Sequence, residues 1–338
     1  MNGGKTSPTA AASAPEIFAL VEEDLRSVER ELARDAVAGV ESVTRIARDL
    51  QNSGGKRLRA SLLLLCARVA GDGEAPSQAA IQLAGVVELL HAATLVHDDV
   101  IDVAQTRRGR PSTNVQWGNH TSVLAGDWLY MQAFQIALQL RNFHVLDLLI
   151  GLTQLMVEGE LIQLERIGKI EITEADCMEL ADRKTAGLFS VCAKLGAIVG
   201  GAENGMEEQL GDFAWNLGMA FQLIDDVLDF NSEERVLGKP VGGDLREGKV
   251  TLPVVYALES ATAEERRQVE TVLRDRGYER VPLADVRGVV EDRGGIRRVL
   301  DKAQHFSERA SQIAAKLPET AFQRGLLALT ELVVERSF

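Results

Sequence analysis

The 338-residue sequence is short of cysteine, proline, aromatic residues and positive charge, and each shortage excludes something. Three cysteines, Cys66, Cys177 and Cys192, are odd in number, far apart and form no CxxC pair. They suggest neither a disulfide framework nor a zinc site. Such usage suits a reducing compartment, so a cytoplasmic location is expected. Only eight prolines occur, and Pro76, Pro111, Pro240 and Pro282 sit between helical stretches or at their starts. Aromatic residues make up 5%. No sustained period-two run and no hairpin with an Asn-Gly or Asp-Gly turn is present, so strands are not expected. No run of eighteen apolar residues predicts a transmembrane helix. Met1 to Pro15, rich in Gly, Ala, Ser and Thr, lacks the apolar core of a signal peptide and reads as a disordered lead-in. With 37 basic against 50 acidic residues, the net charge of −13 counts against nucleic-acid binding and a polybasic membrane anchor. Acidic surplus of this kind is ordinarily solubilising surface.

What is present is helical. Hydrophobic residues are 46% of the chain, and much of that content is Ala, Leu and Val. From Glu16 onward Phe18, Leu20, Val21 and Leu25 share one face, with charge across Glu22 to Glu31 on the other. Two stretches, Ala75–Val103 and Gly205–Phe230, are apolar over more of their circumference than surface helices and should run through a bundle interior. Further helices are expected at 119–140, 142–167, 174–184 and 186–200. An irregular Gly-rich segment follows at 237–249, then amphipathic helices to Phe338. No composition break divides the chain, which predicts an all-α domain over 16–338.

The chemistry is written in two carboxylate clusters. His97-Asp98-Asp99-Val100-Ile101-Asp102 ends the first interior helix. Asp98 and Asp102, four apart, share a helical face with Cβ atoms about 5–6 Å apart. Acids so close on an apolar helix repel one another unless a cation intervenes. Mg²⁺, a hard ion that takes one or two carboxylates plus substrate phosphate oxygens, fits. The second cluster, Asp225-Asp226-Val227-Leu228-Asp229, repeats the DDxxD spacing inside the other interior helix. Alone, each would read equally well as a solvated helix end. Together, facing each other, they make a pocket for metal ions around a diphosphate.

Bases accompany both clusters. Gly54-Gly55-Lys56-Arg57-Leu58-Arg59 puts cations at a helix start, where free N–H groups already favour anions. Arg107-Arg108-Gly109-Arg110-Pro111 follows the first cluster, and guanidinium groups fork onto phosphate oxygens.

These motifs resemble, in order, those of the trans-type (head-to-tail) prenyl diphosphate synthases, or polyprenyl synthetases. They are GGKRLR at 54–59, ELLHAATLVHDDVID at 88–102, RRGRPS at 107–112, KT at 184–185, FQLIDDVLDF at 221–230 and GKPVGGDLREGKVTLP at 238–253. The resemblance implies a bundle of antiparallel helices around a deep central cavity, the isoprenoid synthase architecture. It implies Mg²⁺-dependent 1′-4 condensation of isopentenyl diphosphate onto an allylic diphosphate, in a homodimer, with no nucleic acid and no integral membrane segment. The product would be delivered to a membrane.

Position by position, the resemblance makes Asp98, Asp99, Asp102, Asp225, Asp226 and Asp229 the ligands of three Mg²⁺ ions, with Mn²⁺ able to substitute. Among them Asp99, Asp226 and Asp229 would act partly through metal-bound water. Lys56, Arg59, His91 and Arg108 match groups that grip isopentenyl diphosphate without metal. Arg107, Lys184, Lys239 and Lys249 match groups that meet the allylic diphosphate. Thr185 and Gln222 match polar groups beside the reacting carbons, and with Lys184 they make the catalytic set. His97 reads as structural and Asp127 as a bond within the bundle.

In this family a bulky aromatic four or five positions before the first Asp stops elongation. Ala93 and Thr94 are small there, which implies a medium-to-long all-trans product of about six to ten isoprene units, suited to a quinone side chain. Tyr130, Phe134, Leu149 and Met156 are candidates for a deeper floor. A synthase stopping at fifteen or twenty carbons differs only in product. A class I terpene cyclase would leave the bases unexplained, and a non-catalytic subunit would lack parts of the complete aspartate motifs.

Overall fold

Side-chain caps start several of the helices. The structure is a computed structural model; it describes residues 14–52, 57–107, 109–203, 205–231 and 241–335. The first helices are α1 (Ala14–Ala19), α2 (Glu22–Asp35), α3 (Glu41–Asn52), α4 (Leu58–Ala70) and α5 (Gln78–Ile101). Ser77 caps α5, its Oγ accepting from the N–H of Ala80 at 3.2 Å. Then come α6 (Thr113–Trp117), α7 (Asn119–Gln139), α8 (Phe143–Arg166), α9 (Glu174–Ala181) and α10 (Gly187–Val199). Asn142 caps α8 through Val145 N–H at 3.3 Å. The chain continues with α11 (Met206–Asn231), α12 (Gly243–Arg246), α13 (Leu252–Leu258), α14 (Ala263–Asp275), α15 (Leu283–Asp292), α16 (Gly295–Ala314) and α17 (Ala321–Glu335).

The two interior helices do run through the bundle. α5 lies against α7, and α11 lies between α10 and α16. Glycine allows the closest approaches: a Cβ at Gly218 of α11 would come within 2.7 Å of the Ala186 backbone. One contiguous cluster of buried apolar side chains joins these elements, with Phe189, Phe213 and Phe230 fully enclosed. Burial of each such side chain stabilises the fold by about 1.5–3 kcal/mol. α5 is long and apolar enough to cross a membrane, yet 67% of its most apolar window is buried among the other helices.

Three expectations are corrected. The break expected between 184 and 186 is absent: α9 runs into α10 through a π-helical turn, Asp182–Ala186. Such turns recur at functional sites because an extra residue re-aims side chains. A short antiparallel ladder, β1 (Thr106–Arg107) and β2 (Arg110–Pro111), occupies the segment after α5. Gly109, at φ +74°, supplies the left-handed conformation of its turn, a role not restricted to Asn-Gly or Asp-Gly. The first helix also begins at Ala14, with Pro15 in its first turn, where a missing N–H costs nothing. The rest of the expected lead-in lies outside the described residues.

Candidate active site

The end of α5 separates two cavities, because successive helical residues point about 100° apart. Asp98 faces one, of about 610 Å³, shared with Asp226, Lys184, Thr185, Gln222 and Lys249. Asp99 faces the other, of about 590 Å³, with Arg107. Arg59 and His91 line both and stand where the two meet.

In the larger cavity the π-turn presents Thr185 to α11 and Lys184 to α8. Thr185 Oγ1 donates to Gln222 Oε1 at 2.6 Å, and Gln222 Nε2 donates to Asp226 Oδ1 at 2.9 Å. Burial raises the Asp226 carboxyl well above the usual range, Asp244, Asp225 and Asp229 push it further, and the Gln222 amide opposes them. Asp98 is raised to about 6, first by burial, with Glu160 and Asp102 adding and Lys184 and Arg107 opposing. Lys249 reaches back across 147 positions to bond Asp102 at 2.9 Å, and bonds Glu247 at 2.8 Å. Burial would lower the Lys249 ammonium, but those two carboxylates outweigh it and hold the group above its ordinary value.

The other candidate residues are placed differently. Asp99 is 1% exposed; its Oδ1 accepts from Arg107 Nε at 2.6 Å. Asp225 is half-buried on α11. Asp229 is fully buried, and its Oδ2 accepts from Asp244 N–H at 3.2 Å, tying α11 to α12. Thr94 lines the larger cavity, whereas Ala93 is fully buried. Of the floor candidates, Tyr130 and Met156 line that cavity, Leu149 is fully buried and Phe134 packs against the core. His97 packs on Tyr130, ring centroids 5.7 Å apart, with its Nε2 3.0 Å from the Val123 carbonyl oxygen and 3.4 Å from Asp127 Oδ1. Lys56, Arg108 and Lys239 lie outside the described residues.

Sequence reasoning missed Glu160, which accepts a hydrogen bond from Lys184 Nζ; Gln163 Oε1 accepts from the same ammonium at 3.1 Å. Its signal was a carboxylate falling among Met156, Val157 and Leu164 on α8, the residues that line the same cavity. It also missed Glu88, 8% exposed, which bonds Arg57 at 3.2 Å and the Ala60 N–H at 3.3 Å and so fixes the start of α4 in the smaller cavity.

The donor set of the larger cavity, carboxylate oxygens raised by burial and mutual repulsion, is that of a hard divalent cation. Among the described residues no three acidic, His or Cys groups stand close enough to hold an ion alone. The whole arrangement can hold two anions against one another, one with metal and one on bases.

Residues 40–286 match the family model described as polyprenyl synthetase. Octaprenyl diphosphate synthase of Haemophilus influenzae is 34% identical over 326 residues, covering 96% of this chain and 98% of that protein. The all-trans-nonaprenyl-diphosphate synthase (geranyl-diphosphate specific) of Rhodobacter capsulatus is 35% identical, covering 95% of this chain and 97% of that one. The crystal structure of a Caulobacter crescentus polyprenyl synthase complexed with calcium and isoprenyl diphosphate superposes with a TM-score of 0.91 at 33% identity. It covers 98% of this chain and 100% of that one.

Proposed function

The chain belongs to the polyprenyl synthetase family and is a prenyltransferase, and we propose that it makes a medium-to-long all-trans polyprenyl diphosphate. Its substrates are isopentenyl diphosphate and an allylic diphosphate. The observation that carries the reading is the convergence of Asp98 and Asp226 on one cavity, with Lys184, Thr185 and Gln222 between them.

In this reading Asp98, Asp102, Asp225 and Asp226 hold Mg²⁺, with Asp99 and Asp229 supporting them from buried positions. An ion held there would supply positive charge against the departing diphosphate. Lys184, Lys249 and Arg107, with Lys239, bind and orient the allylic diphosphate, so charge develops against preorganised cations. Arg59 and His91, with Lys56 and Arg108, hold isopentenyl diphosphate so that its double bond faces the allylic carbon. Gln222 Oε1, fixed by Thr185, turns an oxygen dipole toward the allylic cation. The proton lost after carbon–carbon bond formation leaves with the departing diphosphate, so no side-chain base is required. Apolar walls exclude water, which would otherwise quench the cation.

We also propose a homodimer. Leu124, Met131 and Leu138 on α7, and Phe143, Ile150, Val157 and Leu164 on α8, recur every seven residues and are exposed, Phe143 to 81%. Contiguous exposed apolar surface of this kind marks an interface, and two copies of one stripe can pair isologously. Native mass tests it, with a dimer expected and a monomer contradicting it. The activity is tested by giving the purified chain farnesyl diphosphate, labelled isopentenyl diphosphate and Mg²⁺. Extension beyond the twenty-carbon product is expected, and arrest there overturns the medium-to-long assignment.

A further inference from the structure

We propose that Glu88 is a positioning residue for isopentenyl diphosphate: from α5 it caps α4 and thereby sets where Arg59 stands. The proposal rests on the reading of Arg59 and His91 as groups that hold isopentenyl diphosphate. A Ser, Thr, Asp or Asn at a helix N-cap ordinarily accepts from one of the first free N–H groups. The N-cap residue of α4 is Arg57, which makes no such bond and has no acceptor to offer. The third N–H of the helix, that of Ala60, donates instead to Glu88 Oε1 at 3.3 Å, on another helix. Arg57 itself stands in the left-handed region, at φ 45° and ψ 42°, which L side chains adopt only at a cost. Its guanidinium is held at two points, Nη1 donating to Glu88 Oε2 at 3.2 Å and Nη2 to the Gln51 carbonyl at 2.9 Å. Glu88 thus grips the chain on either side of Arg59, at the residue two before it and the residue after it.

A carboxylate in a cavity that takes a diphosphate needs a reason, because the two repel each other. Glu88 lines the smaller cavity with Arg59 and His91, and lies three residues before His91 on the same face of α5. Both of its oxygens are engaged, and Arg57 supplies the matching charge. The pair therefore adds little net field, and Arg59 and His91 are left to meet the substrate. Arg59 has a narrow place to occupy: its guanidinium carbon is 5.9 Å from the ring centroid of Phe189, a fully buried side chain of α10. A shift in the first turn of α4 would carry Arg59 away from where the two cavities meet. Misplacement of a binding group by about 1 Å can cost on the order of 100-fold in rate.

The test is steady-state kinetics of the full chain with Mg²⁺, each substrate varied in turn, with thermal melts run in parallel. Glu88→Gln keeps an oxygen for the Ala60 N–H but loses the charge that faces Arg57. It should raise the Michaelis constant for isopentenyl diphosphate roughly 10-fold or more, because a buried charge is left without its partner. The constant for the allylic diphosphate should stay at its wild-type value. Arg57→Ala should raise the same constant, since the uncompensated Glu88 carboxylate then repels the diphosphate. Adding Glu88→Gln to Arg57→Ala should bring it partly back, a recovery that loosened packing alone would not give. Asp24→Asn is the control, because Asp24 pairs at 2.9 Å with Arg68 in the last turn of α4. It should lower the melting temperature and leave both constants unchanged. The assignment is overturned if folded Glu88→Gln keeps the wild-type constant for isopentenyl diphosphate, or if both constants rise together. It is equally overturned if Asp24→Asn gives the same rise, or if the double variant is no better than Arg57→Ala. Should Glu88→Gln fail to fold, Arg57→Lys decides, since it keeps a cation but cannot fork onto Glu88 and the Gln51 carbonyl. A raised constant for isopentenyl diphosphate alone is expected, and an unchanged one overturns the assignment. The underlying reading fails separately: a wild type that incorporates no isopentenyl unit, or a folded Arg59→Ala variant with an unchanged constant, overturns that reading and the role of Glu88 with it.

Discussion

Thr185 and Gln222 are 37 positions apart in sequence, yet the threonine hydroxyl donates to the glutamine Oε1 at 2.6 Å inside the larger cavity. The bond fixes which end of the amide faces the substrate, because the other end is committed to Asp226. Thr185→Val keeps the shape and removes the donor. Losing a buried hydrogen-bond partner costs about 1–3 kcal/mol. The turnover number should therefore fall roughly 10- to 100-fold, with the Michaelis constant for isopentenyl diphosphate nearly unchanged. Steady-state kinetics with each substrate varied in turn checks this.

The raised carboxyls of Asp98 and Asp226 make a metal prediction that needs no turnover. Mg²⁺ together with a non-reactive allylic diphosphate analogue should raise the melting temperature, by about 2.7 kcal/mol in stability at a hundredfold excess over Kd. Asp98→Ala and Asp226→Ala should abolish that shift and reduce activity roughly 10²- to 10³-fold. EDTA should silence the wild type, and added Mg²⁺ should restore it.

Gly126 marks where α7 crosses α5. A Cβ there would stand 2.3 Å from His97 Nε2, closer than any side-chain contact allows. Gly126→Ala should lower stability by about 1–3 kcal/mol through overpacking. Adding His97→Ala should recover part of the loss. Urea denaturation of the single and double variants measures both.

Acid should weaken the capping box at the start of α14. Glu265 accepts from Arg293 and from the Thr262 N–H, and its carboxyl is lowered from its ordinary 4.5 to about 2, chiefly by Arg293. A carboxyl depressed on folding adds stability that is complete above its unfolded value and lost as pH falls through the folded one. Thermal melts should therefore show Glu265→Gln less stable than wild type at pH 7, with the gap narrowing from about pH 5 toward about pH 2. A constant gap would contradict the pairing.

Much of this was legible in the chain because the helical period and the DDxxD spacing are local. α5 and α11 lie within a few residues of their expected bounds, since apolar patterning marks both and Ser77 caps the start of α5. What was not legible depends on encounters between distant elements. The π-turn turns Thr185 toward α11 and Lys184 toward α8, and nothing in the residues 182–186 announces it. Asp98 and Asp99 are neighbours in one motif, yet helical rotation sends them into different cavities. Glu160 gains meaning only once α8 lies beside Lys184.

The central claim is that this chain alone joins an isopentenyl unit to an allylic diphosphate in a metal-dependent site. The most direct test counts inorganic diphosphate released against labelled isopentenyl units incorporated by the purified protein. With Mg²⁺ one diphosphate should appear per unit incorporated, and with EDTA neither should appear. Diphosphate released without incorporation, as a cyclase would give, or no release from the folded chain with Mg²⁺ present, would contradict the account.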